Sequence, residues 1–268
     1  MTFWRSAIKF IPCILAPQAE SSSSLGAPSS DGYRIISTIP HDTAAFTQGL
    51  VWREGLLYES TGLFGRSQVR MLDLTTGAVR KSTTLPQSRF GEGLAFHNGR
   101  LHQLTWRNQI GYVYDPATLI LVDSFSYRGE GWGLATDGRH LIRSDGTDTL
   151  RFFDPLSNSV IRKLAVRFPS QVPVTGLNEL EFINGELFAN VYRSDWIVRV
   201  NPATGIAADL LDFGRLPPEG RGHSITQDDL NGIAYDEMSG HLMVTGKRWR
   251  AIFVIVLERP PGIPAGQR

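Results

Sequence analysis

One short pattern recurs five times along this chain: a variable residue, then a small step, then Leu or Ile at the head of an apolar stretch. It reads Gln48-Gly49-Leu50, Glu92-Gly93-Leu94, Trp132-Gly133-Leu134, Asn178-Glu179-Leu180 and Asn231-Gly232-Ile233. The central residues lie 44, 40, 46 and 53 positions apart. A period of about 40–50 residues built from short strands is the signature of propeller blades. The residue before each step differs from blade to blade, so five large side chains, four of them polar, are expected to share one structural position around one axis.

The stretches between the repeats share a grammar. A strand follows the step and ends in a tight turn: Arg53-Glu54-Gly55, His97-Asn98-Gly99, Thr136-Asp137-Gly138, Ile183-Asn184-Gly185 or Met238-Ser239-Gly240. Asn, Asp and Gly tolerate positive φ, which a two-residue hairpin requires. A second turn, Asp73-Leu74-Thr75-Thr76-Gly77 and its Asp-Pro or Asn-Pro counterparts at 115, 154 and 201, closes a third strand. No window keeps an apolar 3.6-residue period for three turns, so no helix is expected. The fold expected is therefore all-β: a five-bladed propeller with four strands per blade. The fifth repeat runs out of chain after its third strand, near Leu257. The alternating segment Tyr33–Ile39 is expected to supply the missing strand, closing the ring and hiding the edges of an open sheet.

The domain reading is a leader and Ser/Pro/Gly-rich linker over residues 1–32, one propeller over 33–257, and a disordered Pro-rich tail over 258–268. Two readings fit the first 20 residues. Arg5 and Lys9 ahead of a short apolar run resemble a weak signal peptide, which would place the protein in the periplasm or outside the cell. An N-terminal extension without a sorting role leaves it in the cytoplasm. The run is too short to span a bilayer.

Composition excludes several classes. Basic and acidic residues nearly balance at 27 and 26, and no Lys/Arg run exceeds two, so no nucleic-acid surface is expected. Cys13 is the one cysteine, which rules out an internal disulfide and a cysteine-based zinc site. The six histidines lack metal-binding spacings, so no metal and no cofactor is expected. Neither a Gly-x-Ser-x-Gly elbow nor a phosphate loop is present. Asp145-Gly146-Thr147-Asp148 reads as a turn in preference to a calcium loop.

A second set of unusual residues falls where each repeat's second strand ends, and a hairpin returns that end to the start of its first strand. Trp106 is thus expected near Glu92, Tyr192 near Asn178, and Lys247 near Asn231. Together these outline a pocket with aromatic walls (Trp106, Trp132, Tyr192), neutral amides (Gln48, Asn178, Asn231), one cation (Lys247) and one acid (Glu92). It suits a small, uncharged, amide-bearing ligand. Aromatic walls exclude water and raise a carboxyl group's pKa, which fits Glu92 for moving protons.

These motifs carry a resemblance. Phe46-Thr47-Gln48-Gly49-Leu50, Glu59-Ser60-Thr61-Gly62, Phe90-Gly91-Glu92-Gly93-Leu94, Leu104-Thr105-Trp106 and Gly131-Trp132-Gly133-Leu134 resemble, in order, the plant and bacterial type of glutaminyl cyclase. So do Ser144-Asp145-Gly146, Leu177-Asn178-Glu179-Leu180-Glu181, Leu230-Asn231-Gly232-Ile233-Ala234 and Thr245-Gly246-Lys247. The resemblance spans residues 33 to 257. It implies a five-bladed propeller that converts the N-terminal glutamine of peptides to pyroglutamate and releases ammonia; a monomer is expected. It also implies that Glu92 is the catalytic acid/base and that Gln48, Trp106, Trp132, Asn178 and Lys247 form the pocket. The family usually has Trp where this chain has Tyr192. Two alternatives stand beside this reading: a propeller hydrolase or lactonase with an axial metal, and a binding propeller without turnover.

Overall fold

The computed structural model describes residues 32–222 and 228–258. Apart from Gly32 and Glu258, the expected leader, linker and tail lie outside the described residues.

Five four-stranded antiparallel sheets make up the fold. After β1 (Tyr33–Pro40), the first sheet comprises β2 (Thr47–Arg53), β3 (Leu56–Thr61), β4 (Gln68–Leu72) and β5 (Val79–Thr84). The second holds β6 (Gly91–His97), β7 (Arg100–Thr105), β8 (Ile110–Tyr114) and β9 (Leu121–Ser126). The third holds β10 (Leu134–Thr136), β11 (Leu141–Arg143), β12 (Thr149–Phe153) and β13 (Val160–Ala165). The fourth holds β14 (Leu177–Ile183), β15 (Glu186–Val191), β16 (Trp196–Val200) and β17 (Ala207–Asp212). The fifth holds β18 (Leu230–Asp236), β19 (His241–Gly246) and β20 (Ala251–Leu257), and its outer strand is β1. β1 pairs antiparallel with β20, from Tyr33 opposite Leu257 to Pro40 opposite Ala251. Among the described residues the one helical turn is a 3₁₀ turn at Pro218–Gly220. No helix there is long and apolar enough to cross a membrane.

The hairpin turns take the backbone that their residues suggest. Asn98 and Gly99 sit at φ 48° and 74°, and Asn184 and Gly185 at 48° and 88°. Two successive positive φ values match the twist of the flanking strands.

Packing makes the sheets into a ring. The inner strands β2, β6, β10, β14 and β18 each touch the next, and β18 touches β2. Five buried apolar clusters lie between successive blades; one joins Leu50 and Leu57 of the first blade to Ala234, Met243 and Val254 of the fifth. Burying one such Leu or Val stabilises by about 1.5–3 kcal/mol, so the cost of opening any joint falls on a whole cluster. The inner strands approach too closely for side chains at the repeat's glycines. A Cβ on Gly93 would lie 2.4 Å from Leu134 N, and one on Gly133 2.0 Å from Asn178 O.

The fourth blade breaks this pattern with Glu179, which is fully buried. Its carboxyl group accepts the backbone N–H of Leu50 at 3.3 Å and of Ile233 at 2.9 Å. It thereby ties the first, fourth and fifth blades together across the axis. Burial pushes this group well above the usual carboxylate range, and nearby Glu181 adds to the shift.

Candidate active site

The variable residues of the repeat are aimed by irregular pairing. The β2–β3 register slips between Thr47 and Gly49, the β6–β7 register between Gly91 and Leu94, and the β14–β15 register between Leu177 and Leu180. The skipped positions include Gln48, Glu92 and Asn178. A bulge of this kind turns a side chain out of the regular alternation, here toward one mouth of the channel. The β18–β19 register slips at Asn231 as well. In the third blade Trp132 sits just before β10, and Gly133 N is held by Ser144 Oγ at 2.7 Å.

The ends of the second strands are anchored by a repeated bond. Trp106 N donates to Phe90 O, Tyr192 N to Gly176 O, and Lys247 N to Asp229 O, at 2.8–3.0 Å. Each acceptor lies two residues before the variable position of its own blade. This brings Trp106, Tyr192 and Lys247 to the same mouth as Gln48, Glu92, Trp132 and Asn178, where they enclose a cavity of about 200 Å³. Phe46 and Phe90 complete the wall. The volume is below the ~300–1,000 Å³ usual for drug-sized ligands and suits one side chain with its backbone. Larger recesses lie at the opposite mouth, beside Glu181 and Glu237, and between the second and third blades.

Glu92 lies at the bottom of the pocket, 4% exposed. One of its oxygens, Oε2, accepts Gln48 Nε2 at 2.5 Å. Burial pushes its carboxyl group well above the ordinary range; the charge of Lys247 and the Gln48 bond pull it down, and Glu130 pushes it up. The result is a carboxyl group that keeps its proton to higher pH than an exposed one.

Asn231 does not line the pocket. It is fully buried behind Gln48 and donates Nδ2 to Gln48 Oε1 at 2.9 Å and to Thr47 O at 3.0 Å. The amide of Gln48 is thereby fixed with its N–H₂ toward Glu92. Lys247 does not stand free. Its Nζ bonds Asp229 Oδ2 at 3.0 Å and lies 5.2 Å from the Phe46 ring centre and 4.9 Å from that of Tyr192. Asn178 is 3% exposed, and its buried Oδ1 has no hydrogen-bond partner.

One participant has no counterpart in the repeat. Glu130, in the loop before Trp132, accepts Trp106 Nε1 at 2.7 Å and Trp132 Nε1 at 3.0 Å on one oxygen, and Arg107 Nε at 2.9 Å on the other. Both indoles are thus held at fixed angles by one carboxylate. Burial would raise the Glu130 carboxyl group, but donation from Trp132, Arg107 and Trp106 holds it below the ordinary range. The signal available in the sequence was Glu130 between two glycines, beside a pocket tryptophan. The wall also contains Tyr192, whose ring meets Trp132 edge-on at 5.3 Å. Among the described residues no group of three or more His, Cys, Asp or Glu is placed to hold a metal ion.

The chain matches the glutamine cyclotransferase family over residues 7–257. It is 42% identical over 232 residues to the glutaminyl-peptide cyclotransferase of Arabidopsis thaliana, covering 84% of this chain and 71% of the plant protein. The crystal structure of Myxococcus xanthus glutaminyl cyclase is similar with a TM-score of 0.74 at 34% identity, covering 84% of this chain and 96% of that one.

Proposed function

The chain belongs to the glutamine cyclotransferase family, and from that premise we propose how its pocket turns an N-terminal glutamine into pyroglutamate. The observation that carries the assignment is a single carboxyl group, Glu92, buried under aromatic walls and gripped by a primary amide, Gln48.

The substrate's neutral α-amine attacks the carbonyl carbon of its own side-chain amide. One C–N bond forms, and the former amide C–N bond breaks. The amine's ordinary pKa, about 7.7–8, leaves a useful neutral fraction at neutral pH. Folding the glutamine into a cavity of about 200 Å³ holds the two groups at attack distance and supplies an entropic advantage. The aromatic walls exclude the water that would compete for the carbonyl carbon.

Glu92 receives the proton that the amine loses and returns it to the leaving NH₂, which departs as ammonia. Its raised pKa suits both halves of that exchange. The carbonyl oxygen gains negative charge in between. The Asn178 amide and the remaining N–H groups of Lys247 are the donors available to it, and losing one such donor typically costs about 3–4 kcal/mol. Every residue in this account comes from one ring, which supports action as a monomer.

The test is release of ammonia from a glutamine-initiated dipeptide, with an asparagine-initiated dipeptide alongside. Asparagine is one methylene shorter and would need a strained four-membered ring. Ammonia from the first alone is the expected result. Release from neither, or equal release from both, contradicts the proposal.

A further inference from the structure

The repeat places an arginine just outside the wall in three of the five blades. Each follows a pocket residue at the end of a second strand: Trp106-Arg107, Tyr192-Arg193 and Lys247-Arg248. The other two blades have Leu63 and Gly146 there. Each guanidinium lies against a wall ring: Arg107 3.8 Å from the Trp106 centre, Arg193 5.2 Å from Tyr192, and Arg248 5.0 Å from Phe46. The three stand around the opening by which a peptide, with its first residue in the pocket, must leave.

The backbone does not ask for arginine at these places. Arg193 and Arg248 sit at φ 58° and 57°, where an L side chain is strained, and Gly146 holds the same position at 79°. A glycine would serve the turn better, and Leu63 holds the equivalent place at 83°, so the backbone does not select arginine there. Two of the arginines are partly neutralised. Arg107 bonds Glu130, and Arg248 Nη1 meets Asp228 Oδ1 at 3.2 Å. Lys247 is matched by Asp229. Asp145 and Asp195, on neighbouring loops, pair with Arg151 and Arg221. Among the described residues Arg193 makes no ion pair, and it is exposed. Of the three arginines set against the wall rings, Arg193 is therefore the one without an acidic partner.

We propose that the rim selects peptides with an acidic residue directly after the N-terminal glutamine, with Arg193 as the main recognition residue and Arg107 and Arg248 flanking it. This rests on the cyclisation reading of the pocket, because that reading sets which end of the peptide is buried. A carboxylate side chain one residue outside the pocket gains an open guanidinium fork, which donates two parallel hydrogen bonds. A lysine there meets repulsion. The pair is exposed, so the gain is moderate and weakens as salt screens it.

The experiment compares C-terminally amidated tripeptides Gln-Xaa-Ala with Xaa glutamate, glutamine or lysine, at low and high salt. At low salt kcat/KM should be about threefold higher for glutamate than for glutamine, and about tenfold higher than for lysine. The ratios should shrink in high salt. Arg193→Gln should bring the glutamate-to-lysine ratio close to that of the two flanking arginines alone, Arg193→Lys should keep most of it, and Arg193→Glu should invert the order. Equal kcat/KM for all three peptides, or a preference untouched in Arg193→Glu, overturns the proposal. Binding of the same peptides to the Glu92→Gln variant reads the rim without chemistry. If no peptide is cyclised, the reaction assignment fails, while the binding order still decides for or against the rim.

Discussion

Gln48 and Glu92 belong to neighbouring blades, yet the amide Nε2 of one is bonded to the carboxyl Oε2 of the other at 2.5 Å. The bond crosses the joint between β2 and β6 and lies under the aromatic wall. It fixes which oxygen of Glu92 is engaged and, in the proposed mechanism, leaves the other for the substrate.

The charges around Glu92 set the pH at which it works. In the proposed mechanism the carboxylate accepts the first proton, so turnover rises with pH through the Glu92 pKa. That acid limb should lie well above the ordinary carboxylate value of about 4.3. Lys247 lowers the Glu92 pKa and Glu130 raises it. Lys247→Met should therefore move the acid limb of kcat to higher pH, and Glu130→Gln to lower pH. A pH–rate profile of the two variants checks the opposite signs, and shifts in the same direction contradict the assignment.

Asn231 acts through Gln48. Asn231→Asp keeps the shape but replaces a donor with an acceptor facing Gln48 Oε1. The Gln48 amide should then turn and present an oxygen to Glu92. A buried group left unsatisfied costs about 1–3 kcal/mol, so Tm should fall, and kcat should drop about tenfold or more. Measured kcat and Tm both equal to those of the parent would show that Asn231 does not position Gln48.

A buried ion pair outside the pocket gives stability its own pH dependence. Glu59, fully buried, accepts His41 Nε2 at 3.0 Å and Thr47 Oγ1 at 2.7 Å, and His41 Nδ1 bonds the carbonyl of Trp249 at 2.9 Å. Both ring nitrogens face acceptors, which requires the imidazolium. Burial disfavours the charged His41, but Glu59 outweighs it and raises the His41 pKa. Burial likewise disfavours the Glu59 carboxylate, and His41 outweighs that and lowers the Glu59 pKa. The His41 contribution is full below its unfolded value of about 6.5 and is lost as pH rises through the raised folded value. The Glu59 contribution is full above about 4.3 and is lost as pH falls through the lowered one. The pair should therefore stabilise most between about pH 4.3 and 6.5. His41→Ala should cost about 3–5 kcal/mol there and less at high pH. Thermal unfolding across pH 5–9 checks this, and a pH-independent difference would refute it.

What the sequence disclosed depended on repetition. The spacing of the glycine steps reveals the blades, because close inner strands leave no room for a Cβ at Gly93 or Gly133. Hairpin logic likewise brings Trp106, Tyr192 and Lys247 to the mouth holding Gln48, Glu92 and Asn178. Repetition also misleads: Asn231 matches Asn178 in pattern, but lies behind Gln48 instead of in the wall. Unrepeated features stayed hidden. Glu130 has no counterpart at the same place in the other repeats, the Asp229 match to Lys247 depends on three-dimensional approach, and Glu179 looks like a lapse in the repeat although it joins three blades.

The central claim is that Glu92 carries the proton from the attacking amine to the departing ammonia. Its most direct test is ammonia release from a glutamine-initiated dipeptide by the Glu92→Gln variant, with Tm and peptide binding measured on the same sample. The account predicts a fall in kcat of about 10²–10⁴ with fold and binding kept. A folded variant that still cyclises the dipeptide at a near-parental rate would contradict it.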